Sequence, residues 1–204
     1  KSSAASDVYK RQVIGVQNSI DQFFYEDNGK KYMFWGSFRG IYATELTDNG
    51  LEIKKKTDGT PVLKKRICGN RFEGTNIYKR GEYYYLFASI GTCCNGATST
   101  YQTVVGRSKN VLGPYLDKTG RDMLYDYCEI IMSGNETWAG PGHNSILIQD
   151  DVGTDWIIYH GYKKKEAENG RYVLMDKLIW SNDGWPSVKS NAPSILEVAP
   201  YFQK

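Results

Sequence analysis

Residues 73–90 read EGTNIYKRGEYYYLFASI, and the same pattern occurs at three places in the chain. A first segment leads into a polar turn that contains glycine, and a strongly aromatic segment follows. Short runs rich in Tyr, Phe and Ile on both sides of such a turn predict a β-hairpin. The other two copies lie at residues 18–38 and 140–162. These three hairpins decide the fold.

One position at the start of each copy holds an ionisable residue: Asp21, Glu73 and His143 in turn. The two carboxyl residues each stand 11 residues before a tyrosine of the aromatic strand, and His143 stands 13 before Trp156 because its turn is longer. Taken singly, each has an ordinary interpretation as a turn, edge or strand-end residue. The shared position makes a common site the better hypothesis.

A third strand is predicted after each hairpin, at 40–46, 99–108 and 171–180, and a weaker fourth around 53–56 and 113–117. Recurring sets of four antiparallel strands indicate the blades of a β-propeller, near residues 13–66, 67–130 and 131–190. A β-sandwich would not explain the Asp, Glu and His at one position. First strands of propeller blades line a central channel, so the three residues are expected to converge there.

Composition agrees with an all-β domain. The 204 residues include 16 Tyr, 7 Phe, 5 Trp and 21 Gly, which favours pleated sheets joined by many turns. A net charge of +3 with scattered basic residues implies no nucleic-acid or membrane partner. The adjacent Cys93 and Cys94 allow a vicinal disulfide, but two small buried thiols are the favoured interpretation.

The opening KSSAASDVYKRQ, residues 1–12, has no apolar periodicity and is not a signal peptide. DVYKRQ is what a transposon-end sequencing adaptor encodes, so these residues are predicted to be non-native, with a natural disordered tail as the alternative. On the adaptor hypothesis, the lack of a signal peptide says nothing about export.

Two carboxyls in an aromatic-lined cavity suit glycoside hydrolysis. One carboxylic acid has to protonate the leaving oxygen, and a neighbouring carboxylate raises the pKa of such an acid. A histidine in the same channel can orient a carboxylate or hold a cation through water. The residues at the shared position therefore predict a glycosidase site.

The stretches 18–46, 71–115, WAGPGHNSI at 138–146, DWIIYHGYKK at 155–164 and DGWPSV at 183–188 resemble glycoside hydrolase family 43, in its endo-1,5-α-L-arabinanase-like branch. The resemblance covers nearly everything from residue 13 to about 188. It implies a five-bladed propeller that hydrolyses glycosidic bonds with inversion. By motif, Glu73 resembles the general acid, Asp21 the pKa modulator, and His143 the histidine at an axial metal, commonly calcium, held largely through water.

This chain departs from the family pattern in two ways. The family's base Asp lies upstream of anything present here, so the chain is expected to be an N-terminally truncated fragment with about three of five blades, inactive by itself. Gln22 follows Asp21 where Pro is frequent, and Gly-Thr follows Glu73 where Ala-Pro or Gly-Pro is common. These differences leave the subfamily open.

Blade geometry also predicts substrate contacts in the turn after the second strand and in the loop SIGTCCNGATSTY. Each of these residues has a packed loop or a filled core as its ordinary alternative, and His160 is expected to be structural. The predicted substrate-binding residues are Ser37, Phe38, Cys93, Cys94, Ser99 and Trp138, with Arg39 and Asn95 beside them.

The leading hypothesis is a secreted enzyme, extracellular or periplasmic and monomeric at full length, that cleaves α-1,5-linked L-arabinan in plant cell walls. Two alternatives stay open: an exo-acting α-L-arabinofuranosidase or β-xylosidase of the same family, and a non-catalytic carbohydrate-binding propeller. A protein-interaction propeller of the WD-repeat kind predicts signatures that the sequence lacks.

Overall fold

A computed structural model describes residues 18–203 and shows an all-β chain, as predicted. Helical segments within the described residues are short 3-10 turns at Gly96–Thr98, Met123–Tyr125, Lys164–Asn169 and Lys189–Asn191. The strands are β1 Phe23–Asp27, β2 Lys30–Trp35, β3 Ile41–Glu45, β4 Lys65–Cys68, β5 Glu73–Arg80, β6 Tyr83–Ile90, β7 Gln102–Ser108, β8 Glu129–Met132, β9 Trp138–Gly142, β10 Ile148–Gln149, β11 Asp155–Lys163, β12 Arg171–Lys177, β13 Ile179–Trp180 and β14 Pro186–Ser187.

The strands form three four-stranded sheets and one small pair. Two sheets follow chain order, β1-β2-β3-β4 and β5-β6-β7-β8, and in the third β11 pairs with β9, β10 and β12. The described residues form two compact units, one of residues 18–86 with 106–128, the other of residues 87–105 with 129–203. Five-bladed ring closure stays a prediction, and the expected non-native segment 1–12 lies outside the described residues.

The first hairpin shows why the predicted pattern folds as it does. Exposure alternates along β1, and its register pairs Tyr25 with Tyr32 and Asp27 with Lys30. The turn residues Asn28 and Gly29 both have positive φ, of 50° and 77°. Asn-Gly is the favoured dipeptide for this tight turn because both residues tolerate that conformation.

The predicted fourth strands are wrong. Residues 53–56 and 113–117 form only isolated bridges, such as Leu46 with Ile53 and Arg107 with Leu116. The fourth strands are instead β4 and β8, each of four residues, which pair antiparallel with β3 and β7. The intervening segments fold into turns, and Pro114 lacks the backbone N–H that a ladder requires.

The third hairpin is more irregular than its sequence predicts. The long strand β11 pairs with β9 at one end, where His160 faces Gly142, and with β10 at the other, where Ile148 faces Trp156. Residues 143–147 belong to neither short strand and keep a backbone hydrogen bond to β11 from the Ser145 amide to the Ile158 carbonyl, at 2.8 Å. The predicted strand 171–180 also breaks, at the buried Leu178.

Each unit has its own aromatic and aliphatic core. Fully buried side chains of the first unit include Phe34, Trp35, Ile41, Phe72, Leu86, Tyr115 and Met123, and those of the second include Phe87, Tyr101, Val104, Met132, Trp156 and Ile157. Burial of such side chains is the main stabilising contribution in a small β-domain. Over residues 18–203, the structure contains no helix of the length and apolarity needed to cross a membrane.

Candidate functional site

Glu73 is the first residue of β5 and is almost fully buried, with 7% of its surface exposed. The Ser37 hydroxyl donates a hydrogen bond of 2.6 Å to its Oε2 atom. A buried carboxyl is costly unless hydrogen-bonded, so this contact helps to stabilise Glu73 in the fold. The predicted general acid is thus held in a defined position.

A tight turn between β2 and β3 brings Ser37 to Glu73. Gly36 has φ +126°, and a Cβ there would stand 2.1 Å from the Gly40 carbonyl oxygen, so only glycine fits. The Phe38 amide donates to the Phe72 carbonyl at 2.9 Å, which ties the turn to the residue before Glu73. Phe38 itself has φ +49° and is half-buried.

Asp21 lies next to the same strand. Its Oδ2 accepts a hydrogen bond of 3.1 Å from the Gly74 amide, the residue after Glu73. Asp21 has φ +57°, a left-handed conformation that is uncommon for residues other than glycine. Such conformations cluster at functional sites, where the surrounding fold holds them in place. The structure therefore brings Asp21 to the strand that begins with the predicted acid.

His143 belongs to the second unit, so its convergence with Asp21 and Glu73 stays a prediction. It follows β9 directly and is exposed, with φ +49°. Its backbone amide donates to the hydroxyl of the fully buried Ser89 at 2.7 Å. Two of the three residues at the shared position, Asp21 and His143, thus adopt the same rare backbone conformation.

The His143 ring forms part of an aromatic stack. Its ring centroid lies 6.2 Å from that of His160, which in turn lies 5.8 Å from that of Tyr101. The Tyr101 hydroxyl is also 3.4 Å from Nδ1 of His143. Burial, followed by the charges of Arg171 and His143, lowers the pKa of His160 to about 4. His160 is therefore neutral near pH 7, as expected of a structural histidine.

The residues around His143 do not by themselves form a calcium site. Calcium prefers six to eight oxygen ligands, whereas the imidazoles and the phenol here offer chiefly nitrogen. Across residues 18–203, no group of three His, Cys, Asp or Glu side chains is placed to hold a metal ion. A cation held through water stays a prediction.

Cys93 and Cys94 form a vicinal disulfide, so the favoured interpretation as two buried thiols is wrong. Cys94 is exposed and Cys93 is half-buried, so the expected burial of these two residues is not found either. The prediction failed because adjacent cysteines bond only in a tight backbone conformation that sequence does not reveal. Cys68 and Cys128 are free thiols.

Hydrogen bonds hold the loop that carries this disulfide. The Ser99 hydroxyl accepts from the Asn95 amide at 2.9 Å, and the hydroxyls of Thr92 and Thr100 lie 2.9 Å apart. Ser99 is buried, with 8% of its surface exposed. The loop is thus a fixed structure on the second unit.

Trp138 is also buried, with 8% exposed, and its ring packs edge-on against Tyr172 at 5.8 Å. Its indole Nε1 has no hydrogen-bond partner among the described residues. Sequence analysis missed the contributions of Ser89 and Tyr101 to the surroundings of His143. Ser89 opens and Tyr101 closes the predicted loop SIGTCCNGATSTY, which was the available signal for both residues.

Comparisons with known proteins identify the family of this chain. An extracellular exo-α-(1→5)-L-arabinofuranosidase of Cellvibrio japonicus is 36% identical over 182 residues, which cover 84% of this chain and 52% of that protein. An extracellular endo-α-(1→5)-L-arabinanase of Bacillus subtilis is 35% identical over 173 residues, covering 83% and 50%. The chain therefore spans about half the length of these relatives.

A solved structure of a Cellvibrio cellulosa α-L-arabinanase complexed with arabinohexaose matches with a TM-score of 0.70 and 34% identity, over 84% of this chain and 57% of that one. The family model of the glycosyl hydrolases family 43 matches residues 4–186. That match begins inside the segment 1–12, whose origin stays a prediction. This chain belongs to glycosyl hydrolase family 43.

Proposed function

We propose that the full-length protein containing this chain cleaves α-1,5-linked L-arabinan by inverting hydrolysis, with Glu73 as general acid. The observation that carries the proposal is the buried Glu73 carboxyl, hydrogen-bonded to Ser37 and one residue from the amide that binds Asp21. Two carboxyl residues that meet at the start of one strand suit glycoside hydrolysis. The names of the Cellvibrio japonicus and Bacillus subtilis relatives support arabinan as the substrate.

In this mechanism Glu73 donates its proton to the glycosidic oxygen as the bond to the anomeric carbon breaks. The Ser37 hydroxyl fixes the orientation of the carboxyl, and Asp21 is proposed as the pKa modulator. Water attacks from the opposite face of the sugar ring, activated by a carboxylate base. That base is assigned to none of the residues 18–203.

The test is a Glu73→Gln variant of the full-length protein, assayed on linear α-1,5-arabinan and on an arabino-oligosaccharide with an acidic phenol as leaving group. A general acid matters most when the leaving group is poor. We expect turnover of arabinan to fall by about 10²–10⁴-fold, and turnover of the activated glycoside to fall far less. Glu45→Gln is the matched control, since Glu45 is a part-buried glutamate paired with Lys54 at 2.7 Å.

Equal losses of turnover on both substrates would contradict the acid role, because a general base or a structural residue affects both alike.

The products that the unaltered protein forms from arabinan distinguish endo from exo action and from binding alone. A ladder of arabino-oligosaccharides indicates endo action, and arabinose alone indicates the exo-acting alternative. Binding of arabinan without any product in the unaltered protein would favour the non-catalytic binding propeller.

Substrate contacts are proposed for the turn after β2 and for the disulfide loop. Phe38 of the first unit and Cys93 and Cys94 of the second have surface available for a sugar, whereas Ser37 and Trp138 are buried within their own units. Calcium near His143 and a monomeric state remain part of the proposal. An extracellular or periplasmic location is supported by the relatives' names and by the disulfide.

A further inference from the structure

The segment of residues 18–22, directly before β1, is fixed by its own hydrogen bonds. The Ile20 amide donates to the Asn18 carbonyl at 2.9 Å, and the Gln22 side-chain amide donates to the Ser19 carbonyl at 3.1 Å. Asn18 has φ +60°, a left-handed conformation that asparagine adopts more readily than most residues. The Asn18 side chain therefore extends from a backbone of fixed conformation.

Two hydrogen bonds join this segment to the turn that contains Ser37. The Asn18 side-chain amide donates to the Ser37 carbonyl at 2.7 Å, and the Gly36 amide donates to the Ile20 carbonyl at 2.9 Å. The bonds restrain the two ends of the Gly36–Ser37 dipeptide. The direction in which the Ser37 hydroxyl leaves the backbone therefore depends on residues 18 and 20.

Of these two bonds, only the one from Asn18 is made by a side chain. It restrains the backbone of the residue whose hydroxyl donates to Glu73. Hydrogen bonds weaken steeply as they depart from linear geometry. A small rotation of the Ser37 backbone would consequently misdirect its hydroxyl and loosen the Glu73 carboxyl.

We propose that Asn18 is a positioning residue for the hydrolytic reaction. Its side-chain amide holds the Ser37 backbone so that the Ser37 hydroxyl meets the Glu73 carboxyl, and it acts through Ser37 and not on the reacting atoms. The inference rests on the proposed function, in which Glu73 is the general acid. It also links the two carboxyl residues of the site, because the segment that contains Asn18 places Asp21 beside the Gly74 amide.

The experiment is a double-mutant cycle in the full-length protein, with Asn18→Gly, Ser37→Ala and the two combined, assayed on linear α-1,5-arabinan. Glycine keeps the left-handed backbone at residue 18 and removes only the side chain. We expect Asn18→Gly to lower kcat by about 3–10-fold, the effect of one neutral hydrogen bond, with KM little changed. In the double variant kcat should fall no further than in Ser37→Ala, because no hydroxyl is left to orient.

Asn28→Gly is the matched control. Asn28 lies at the other end of β1, also has positive φ, of 50°, and donates from its side-chain amide to the Asp27 carboxylate at 3.1 Å. Both substitutions add the same backbone freedom to the unfolded chain. Urea unfolding of the two variants measures this shared effect on stability, and we expect Asn28→Gly to leave kcat unchanged.

Three results would overturn the inference: unchanged kcat in Asn18→Gly, an equal loss of kcat in Asn28→Gly, or losses in the two single variants that multiply in the double variant. Multiplying losses would mean that Asn18 acts by a route other than the Ser37 hydroxyl.

The Glu73→Gln variant, assayed on arabinan and on the activated glycoside, tests the proposed function separately. Multiplying losses in the cycle, together with the response of a general acid at Glu73, would contradict only the role of Asn18. A double variant no worse than Ser37→Ala, together with equal losses on both substrates in Glu73→Gln, would contradict only the acid role.

Discussion

The Ser37 hydroxyl donates a 2.6 Å hydrogen bond to the Glu73 carboxyl group across 36 residues of chain. Both residues are buried, and both are held by the same local network, in which the Asn18 side-chain amide donates to the Ser37 carbonyl at 2.7 Å. The position of the proposed acid therefore depends on a turn that belongs to a different sheet.

Replacing Ser37 by alanine tests this dependence. Glu73 becomes a carboxylate as it gives up its proton, and hydrogen bonds to charged groups contribute about 1.5–3 kcal/mol. We therefore expect kcat on arabinan to fall by about 10–100-fold with KM little changed. Steady-state kinetics of the full-length protein measures both. Thr44→Val is the control, because it removes another buried hydroxyl, one that donates to the Leu63 carbonyl. Equal losses of activity in the two variants would show only general destabilisation.

Two substitutions at Asp21 distinguish the role of its carboxyl charge from the role of its left-handed backbone conformation. Asparagine tolerates positive φ and keeps an oxygen for the Gly74 amide, so Asp21→Asn should unfold near the temperature of the unaltered protein but lose most activity. Asp21→Ala should lose similar activity and about 1 kcal/mol or more of stability, because alanine is strained at φ +57°. Full activity in Asp21→Asn would exclude an electrostatic role for Asp21.

Gly140 provides a test of packing beside the disulfide loop. It has φ +61°, and an added Cβ would stand 2.6 Å from the Ser99 Cβ. We expect Gly140→Ala to lower the free energy of unfolding by about 2–4 kcal/mol through strain and overlap. Gly153→Ala is the control: φ is +81°, but nothing lies within 4 Å, so only backbone strain should appear. Similar calorimetric melting temperatures for the two variants would contradict the packing argument.

The cysteines can be counted chemically. Alkylation of the denatured, unreduced protein should modify the free Cys68 and Cys128, and reduction beforehand should add Cys93 and Cys94. Peptide mass spectrometry places each modification. Labelling of Cys93 without reductant would contradict the vicinal disulfide.

Asp117 should contribute to stability in a pH-dependent way. Burial alone raises the pKa of its carboxyl, but hydrogen bonds from the Arg121 amide, the Thr119 hydroxyl and the Arg121 guanidinium outweigh it and leave the pKa below the ordinary 3.8. The stabilisation is therefore full above that ordinary value and is lost as pH falls through the lowered folded value. Asp117→Asn should be less stable than the unaltered protein near pH 7.

The difference in the free energy of unfolding between Asp117→Asn and the unaltered protein should narrow in strongly acidic solution. Urea unfolding at several pH values follows this directly. A stability difference that does not change with pH would mean that Asp117 acts through its shape and not through its charge.

The sequence predicted the hairpins well because the signals are local. An Asn-Gly turn and alternating aromatics specify β1 and β2 without reference to the rest of the chain. The outer strands β4 and β8 were misplaced, since four-residue strands such as KRIC carry too few positions for an alternation to be visible. Their pairing is decided by the partner strand, which local sequence does not report.

The distinction between local signals and contacts with distant residues also holds at the candidate site. Asp21 and Glu73 were identifiable because they occupy one position in a repeated unit, and the structure brings Asp21 to the strand that Glu73 begins. The Ser37 contact with Glu73 was not predictable, because it depends on how the turn at 36–40 meets the residue before β5. Left-handed φ values at Asp21 and His143 were equally invisible in a sequence that offers no glycine there.

The bond between Cys93 and Cys94 also bears on how the protein is produced. Disulfides persist in oxidising compartments and are rare where thiols are kept reduced. Material expressed in a reducing cytosol would carry an open dithiol in this loop, whereas exported material would carry the closed eight-membered ring. Two preparations of identical sequence would then present different surfaces to a sugar, and the choice of expression host becomes a variable of the assay.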